Sequence, residues 1–477
     1  MSRRGGISLA GILLASTMIA SPQAALAKGS SATEMEARLQ QLEAQMQQLR
    51  AELAEARQAQ AQTEAAAQQA RQTSEQTAAR VAVVENKTTV LAAAPKAEAP
   101  KAEGMQVGST TVKLGGFIKL AANSTRYSDG EPANNSLGRD FYLPQTIPVG
   151  GAPSSRVTDF SAKQTRLWMN LATDIAGHSV KAYVETDFQT STGTQGTQRT
   201  TNGYNLALRR AYMQVDRWTF GQDWSTFQYP GALPESTDFV GATEGTVFVR
   251  QPLIRYSAPL SKQLTLHISA ENPEAATANA GTPALIENGD DHMPDFAARF
   301  AYTIPQAELS LAALGRQVRI SNGGIVAKTS GWAISGAGKI FLNSDKTSDI
   351  RFMTTYGHNA GRYVGINFAP DAVYNPITLE LERVNELAVL GALRVGLAKN
   401  IRANVMGSFQ KVDYSDALTA AQILGMNKTA WSVAGNIFYS PVKNVDLGIE
   451  YRHGFREVEG GDKGTLDRVE FAAKYNF

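Results

Sequence analysis

The chain ends in Val469-Glu470-Phe471-Ala472-Ala473-Lys474-Tyr475-Asn476-Phe477. Val469, Phe471, Ala473, Tyr475 and Phe477 share one parity, while Arg468, Glu470, Ala472, Lys474 and Asn476 share the other. Successive strand residues point to opposite faces, so this segment has one apolar and one charged face. The period of two extends backwards. Val445, Leu447, Ile449 and Tyr451 oppose Asp446, Glu450 and Arg452; Ile401, Ala403, Val405 and Phe409 oppose Arg402, Asn404 and Gln410. Leu264, Leu266 and Ile268, Val180, Ala182 and Val184, and Leu167, Met169 and Leu171 repeat the pattern. Each segment runs about ten residues, the length of a tilted strand across a bilayer. A soluble sandwich would hide the apolar faces in a core. Here nearly every strand also has a charged face. Closure into a barrel with lipid outside and water inside satisfies both faces and removes every sheet edge.

Connections alternate in length. Asp174–Gly177, Pro259–Gln263, Ile304–Gln306, Asn343–Lys346, Lys399–Asn400 and Pro441–Asn444 read as tight turns. Long polar stretches fall near 124–160, 189–203, 225–250, 272–293, 320–328, 358–380, 412–428 and 457–465. Short periplasmic turns and long external loops are the pattern of outer-membrane barrels. The 368 residues from Thr110 to Phe477 suit a 16-stranded antiparallel transmembrane β-barrel at about 23 residues per strand with its connection. The aromatic-x-Phe ending resembles the assembly signal of bacterial outer-membrane barrels.

The N-terminal part has a different period. Arg3 and Arg4 precede a mostly apolar Gly5–Ala20, Pro22 breaks the helix, and Ala25-Leu26-Ala27 offers a cleavage box, so residues 1–27 read as a secretory signal peptide. Met35, Leu39, Leu42, Met46, Leu49, Leu53 and Ala56 alternate spacings of four and three, and the frame holds to Leu91. Residues 28–91 therefore read as an α-helical coiled coil, with a rod of roughly 85 Å. The repeat Ala94-Pro95-Lys96-Ala97-Glu98/Ala99-Pro100-Lys101-Ala102-Glu103 makes 92–108 an extended linker. The barrel is expected over 109–477.

Composition narrows the function. No cysteine means no disulfide, thiol nucleophile or thiolate-bound metal, and five His argue against a His-rich metal centre. A formal charge of +2 does not suggest a nucleic-acid partner. No cofactor is expected. Asn288-Gly289-Asp290-Asp291-His292, with Asp295, reads as a solvated acidic loop. His267 and His453 do not single out a catalytic pair, so an enzyme is not expected. Tyr256, Tyr302, Tyr356, Trp431, Tyr439, Tyr451, Tyr475 and Phe477 suit the interfacial aromatic girdles.

With the polar parity inward, the lumen-facing cations are Lys119, Arg166, Lys181, Arg210, Arg255, Arg299, Arg316, Lys339, Arg351, Arg394, Arg402, Arg452, Arg456, Arg468 and Lys474. The inward anions are Glu185, Asp187, Glu271, Glu308, Glu386, Asp446, Glu450 and Glu470. This basic excess predicts anion preference, because charged rings in a pore set ion selectivity. Arg209 and Arg210 are adjacent, so strict alternation places only one of them inside.

The chain resembles the DcaP family of trimeric outer-membrane porins. The matching stretches are the leader, the Ala/Gln/Glu-rich coil, Val112-Lys113-Leu114-Gly115-Gly116-Phe117-Ile118-Lys119-Leu120, and Leu208-Arg209-Arg210-Ala211-Tyr212. The match continues in Gly221-Gln222-Asp223-Trp224-Ser225-Thr226-Phe227 and Arg250-Gln251-Pro252-Leu253-Ile254-Arg255-Tyr256. The resemblance implies three 16-stranded barrels per assembly and passage of small anionic solutes such as dicarboxylates. By likeness to 16-stranded porins, the third loop, Ser225–Val249, would fold into the lumen. Its Glu235, Asp238 and Glu244 would then face a cationic wall of Lys119, Arg166, Lys181 and Arg210, and Arg255, Arg299, Arg316 and Arg351 would line the pore. The expected function is a passive, charge-filtered diffusion channel in the outer membrane, in contact with lipid and lipopolysaccharide, with its N-terminal segment in the periplasm. The alternative is a structural anchor that tethers the envelope, including the cell wall, through the coil.

Overall fold

A computed structural model describes residues 46–47, 104–134, 136–189 and 203–477. The predicted signal peptide, nearly all of the coil, most of the linker and most of the 189–203 loop lie outside the described residues.

Alternating polarity produces the expected sheet. Its strands are β1 (Thr110–Tyr127), β2 in two pieces (Ser155–Ser161 and Arg166–Ile175), β3 (His178–Asp187), β4 (Ala207–Val215), β5 (Trp218–Trp224), β6 (Arg250–Pro259), β7 (Leu264–Glu271) and β8 (Asp295–Ile304). They continue as β9 (Ala307–Asn322), β10 (Ile325–Phe341), β11 (Asp349–His358), β12 (Val384–Ala398), β13 (Ile401–Tyr414), β14 (Asn427–Tyr439), β15 (Val445–Val458) and β16 (Lys463–Asn476). Each is antiparallel to the next, and β16 pairs with β1 from Phe117↔Asn476 to Tyr127↔Leu466, so the sixteen strands close. A three-residue strand, Met105–Val107, folds back on the start of β1. The terminal Phe477 completes the seam: its N–H donates to Gly116 O and its carbonyl accepts from Gly116 N, both at 3.1 Å.

The apolar parity points out. Leu114 is 70 % exposed and Val405 64 %, whereas the inward Gln410 and Ser432 are 0 and 1 % exposed. That inverts a soluble protein and suits a barrel wetted inside and greased outside. The girdle residues Tyr302, Tyr356, Tyr439, Tyr451, Tyr475 and Phe477 are all exposed on this outer face.

Two stretches expected to be long loops are turns. β9 and β10 run on beyond the bilayer and meet at Gly323-Gly324, both at positive φ (58° and 85°), as a two-residue hairpin requires. The polar extension was misleading because its inward Val318 and Ile320 still alternate, and they pack under loop residues Ala275, Ala372 and Leu381. Likewise only residues 459–462 separate β15 from β16. Conversely, the 124–160 stretch contains strand: β1 runs to Tyr127, and Ser155–Ser161 pairs with its outer half. Loops 272–294 and 359–383 combine in a separate four-stranded sheet, in which Ala276–Asn279 and Val373–Asn375 pair in parallel.

Candidate functional site

The third external loop, 225–249, enters the barrel. Its root is pinned where Thr226 N donates to the Glu271 carboxylate at 2.7 Å and the Phe227 ring meets Tyr363 edge-on. Pro230–Ala232 forms one tight turn. Val247 bridges to Val364, and Phe248 N donates to Tyr363 O, tying the returning limb to the sixth loop. Gly245 allows the closest approach: a Cβ there would lie 2.3 Å from Val389 O on β12. Thr237, Thr243, Glu244, Thr246 and Val247 are fully buried.

Glu235 and Asp238 share a cavity with Lys119 and Arg166 of the expected wall, but the closest partners of the loop's acids lie elsewhere. Glu235 pairs with Arg402 on β13 (2.6 Å) and Arg394 on β12 (3.5 Å). Asp238 accepts from the backbone N–H groups of Tyr142 (2.7 Å), Val240 and Gly241 (both 3.0 Å), so it organises the loop itself. Glu244 accepts from Tyr142 Oη (2.5 Å), Ser432 Oγ (3.0 Å) and Ser408 Oγ, and burial pushes its carboxyl above the ordinary range. Charge pairing ties the loop to β12–β13, while Lys119 on β1 holds it from the predicted wall through Thr237 O.

The predicted cations separate into groups. Arg166 reaches Asp187 (3.3 Å) and Glu185 (3.8 Å), and Arg210 reaches Asp223 (2.6 Å) while stacking on Tyr183; each is about a fifth exposed. Lys119 is buried under the loop and donates to Thr237 O and Gln164 Oε1, both at 2.5 Å. Lys181 is exposed near the periplasmic end, opposite Gln214. Arg255 bonds Asp223 (3.0 Å) and Thr226 Oγ1 (2.7 Å), and Arg299 donates to Thr226 O (3.0 Å), so both hold the loop's root. Arg351 pairs with Asp349 and donates to Leu233 O on the loop. Arg316 is not on the open wall: it is sealed with Asp295 (3.3 Å) and Asp371 (2.6 Å) beneath the external loops.

Strict alternation missed Arg209. The ladder between β3 and β4 slips between Glu185 and Thr186, with partners Arg210 and Leu208, and leaves Arg209 as a bulge residue. A bulge sets two residues against one. Both arginines therefore face Glu185, and Arg209 also binds Asp187 at 2.6 Å. Asp223 and Asp349 were missed as well; each sits at a strand end and pairs with two arginines. They shrink the cationic excess. His267 bonds Ser257 at 2.9 Å, a pairing that parity permitted but did not single out. The Asp290, Asp291 and Asp295 carboxylates diverge to Ser321 N, Arg319 N and Arg316, and among the described residues no acidic cluster fit for a metal remains.

Between loop and wall lies a cavity of about 240 Å³, lined by Phe117, Lys119, Arg166, Arg402 and Lys474 together with Glu235, Asp238 and Asp446. The register sets Lys119 directly opposite Lys474. Lys474 has no ion pair among the described residues and lies over the Phe117 ring at 4.7 Å.

A closed 16-stranded barrel with a loop folded into a charged lumen defines an outer-membrane channel of the porin class. The family described as DcaP outer membrane protein matches residues 46–477, and the chain belongs to it. The crystal structure of the outer membrane channel DcaP of Acinetobacter baumannii superposes with a TM-score of 0.64 at 24% identity, covering 79% of this chain and all of that one. OmpT of Vibrio cholerae, in its outer-membrane expressed form, gives a TM-score of 0.49 at 10% identity over 79% of this chain and all of its own. Comparison with the curated proteins produced no match.

Proposed function

We propose that this channel passes small hydrophilic anions, dicarboxylates among them, by passive diffusion as a homotrimer, with the third loop and its cationic surroundings acting as a charge filter. The supporting observation is which charges the lumen leaves accessible. Among the described residues, the inward acids without a cationic partner, Glu244, Glu271, Glu386 and Glu470, are all nearly sealed from solvent. The cations among the described residues without a carboxylate partner include Arg299, Lys474 and Lys181, which retain exposure. Low-dielectric walls focus the field of such accessible charges on passing ions. The coil at 28–91, after removal of the leader, extends into the periplasm and brings three helices together, a role separate from conduction.

The test is the reversal potential of the purified protein in a planar bilayer under a KCl gradient. Chloride preference is expected, and it should survive deletion of residues 28–103. Cation preference would overturn the charge filter; absence of conductance would favour an envelope anchor.

A further inference from the structure

The outer face of the barrel is apolar across its middle, and charged side chains reappear at its external rim, where Arg319 is held by Asp290 O and Asp291 and Lys411 by Asp413. A single cross-strand row runs His453 (β15), Asp467 (β16), Arg126 (β1), Arg156 (β2). Arg126 shares its parity with the exposed Ile118 and Leu120, and Arg156 with Phe160, which is 65 % exposed, so both arginines project outward. Directly opposed like charges on a sheet are destabilising. Asp467, opposite Arg126 in the register, eases this only from a distance: among the described residues neither guanidinium comes within ion-pair reach of a carboxylate. Asp467 is taken, accepting from Tyr451 Oη at 2.6 Å and lying 2.8 Å from His453 Nδ1. Ser124 and Thr158, also outward, sit one row nearer the membrane centre.

Height decides the partner. From Leu114 to Ala122 the outward residues of β1 are apolar or glycine, roughly 27 Å of strand, which at barrel tilt spans most of a 25 Å lipid band. Arg126 lies four residues beyond, next to the long 128–154 loop, and so on the external side, level with the headgroups of the outer leaflet.

We propose that Arg126 and Arg156 form a binding site for the phosphate groups of an anionic glycolipid in the outer leaflet. A guanidinium pair forms bidentate, charge-assisted bonds to phosphate, and the adjacent exposed Phe160 packs on acyl chain. A second copy of the chain fits less well. The outward carboxylates near this rim, Asp413, Glu457 and Asp467, are already paired with Lys411, Lys428 and His453. The inference rests on the outer-membrane placement and not on anion selectivity.

The full-length protein, extracted in detergent, is titrated with bisphosphoryl and monophosphoryl lipid A and read by native mass spectrometry. Arg126→Ser/Arg156→Ser, the two single Ser variants and the control Lys411→Ser are compared, with folding checked by resistance to heat dissociation on gels. The expected loss of affinity for bisphosphoryl lipid A is about five-fold for each arginine and about twenty-five-fold for both. The monophosphoryl form should lose less, and Lys411→Ser should match the wild type. Equal binding by the double variant and the wild type overturns the site. So does an equal loss in Lys411→Ser, which would mean a general basic surface. Subunit dissociation at unchanged lipid affinity would place the arginines in a protein contact instead. Bilayer conductance of the double variant is expected unchanged; absent conductance in the wild type too would count against the channel reading alone.

Discussion

Lys474 offers the sharpest test of conduction through the cavity beside the third loop. It lines that space without an ion pair, so its charge can be changed without stranding a partner. Arg166 is a worse choice, since Asp187 and Glu185 would lose a cation with it. A sphere of 240 Å³ has a radius of about 4 Å. At about 4 Å two unit charges interact by about 1 kcal/mol in water, and a Debye length of about 10 Å at 0.1 M leaves roughly two-thirds of it. Lys474→Gln thus raises the energy of a chloride there by about 0.7 kcal/mol and lowers that of a potassium ion equally. The chloride-to-potassium permeability ratio falls about ten-fold. Lys474→Glu changes two charges and lowers it about a hundred-fold. Greater distance weakens both effects by one factor, so the two-to-one ratio of their logarithms is the firmer expectation. Reversal potentials in planar bilayers under a ten-fold KCl gradient read both values. Equal shifts for Gln and Glu, or a shift toward chloride, would refute the placing of this cavity on the ion path.

Arg209→Ala takes from Glu185 and Asp187 their closest cation, leaving only the longer contacts to Arg166 and Arg210, and should cost up to about 3 kcal/mol, seen as a lower unfolding temperature, with Arg210→Ala milder because it is more exposed. Gly245→Val drives a side chain into the backbone of Val389 and should lift the third loop from β12, raising single-channel conductance and uptake of larger sugars in liposome swelling. Burial raises the folded pKa of Glu244 above its unfolded value of about 4.3, so its contribution to stability is fullest below that pH and is lost as pH rises through the folded value. Glu244→Gln should flatten this dependence in melting curves taken from pH 4 to 8.

The barrel was legible because a two-residue period is written into nearly every strand, down to the terminal Val469–Phe477. Parity also placed Arg166, Arg402 and Lys474 inside. It failed at Arg209 because a bulge is a local slip of the ladder and leaves no mark on the period; two adjacent arginines were the only hint. The loop's entry into the lumen followed from likeness to 16-stranded porins, but the full set of walls it rests on did not. Glu235 chooses Arg394 and Arg402 from strands some 160 residues further on. The Gly323-Gly324 hairpin was hidden for the opposite reason, since polar outward residues above a membrane look like loop even where the chain is still strand.

The parallel pairing of Ala276–Asn279 with Val373–Asn375 has a consequence for variation on the cell's outer surface. External loops of a barrel are ordinarily free to change independently, each answering only to its own two strands. Here two loops nearly a hundred positions apart share backbone hydrogen bonds, so an insertion in one shifts the register of the other. Whatever outside the cell exerts pressure on this surface meets two loops that must change together.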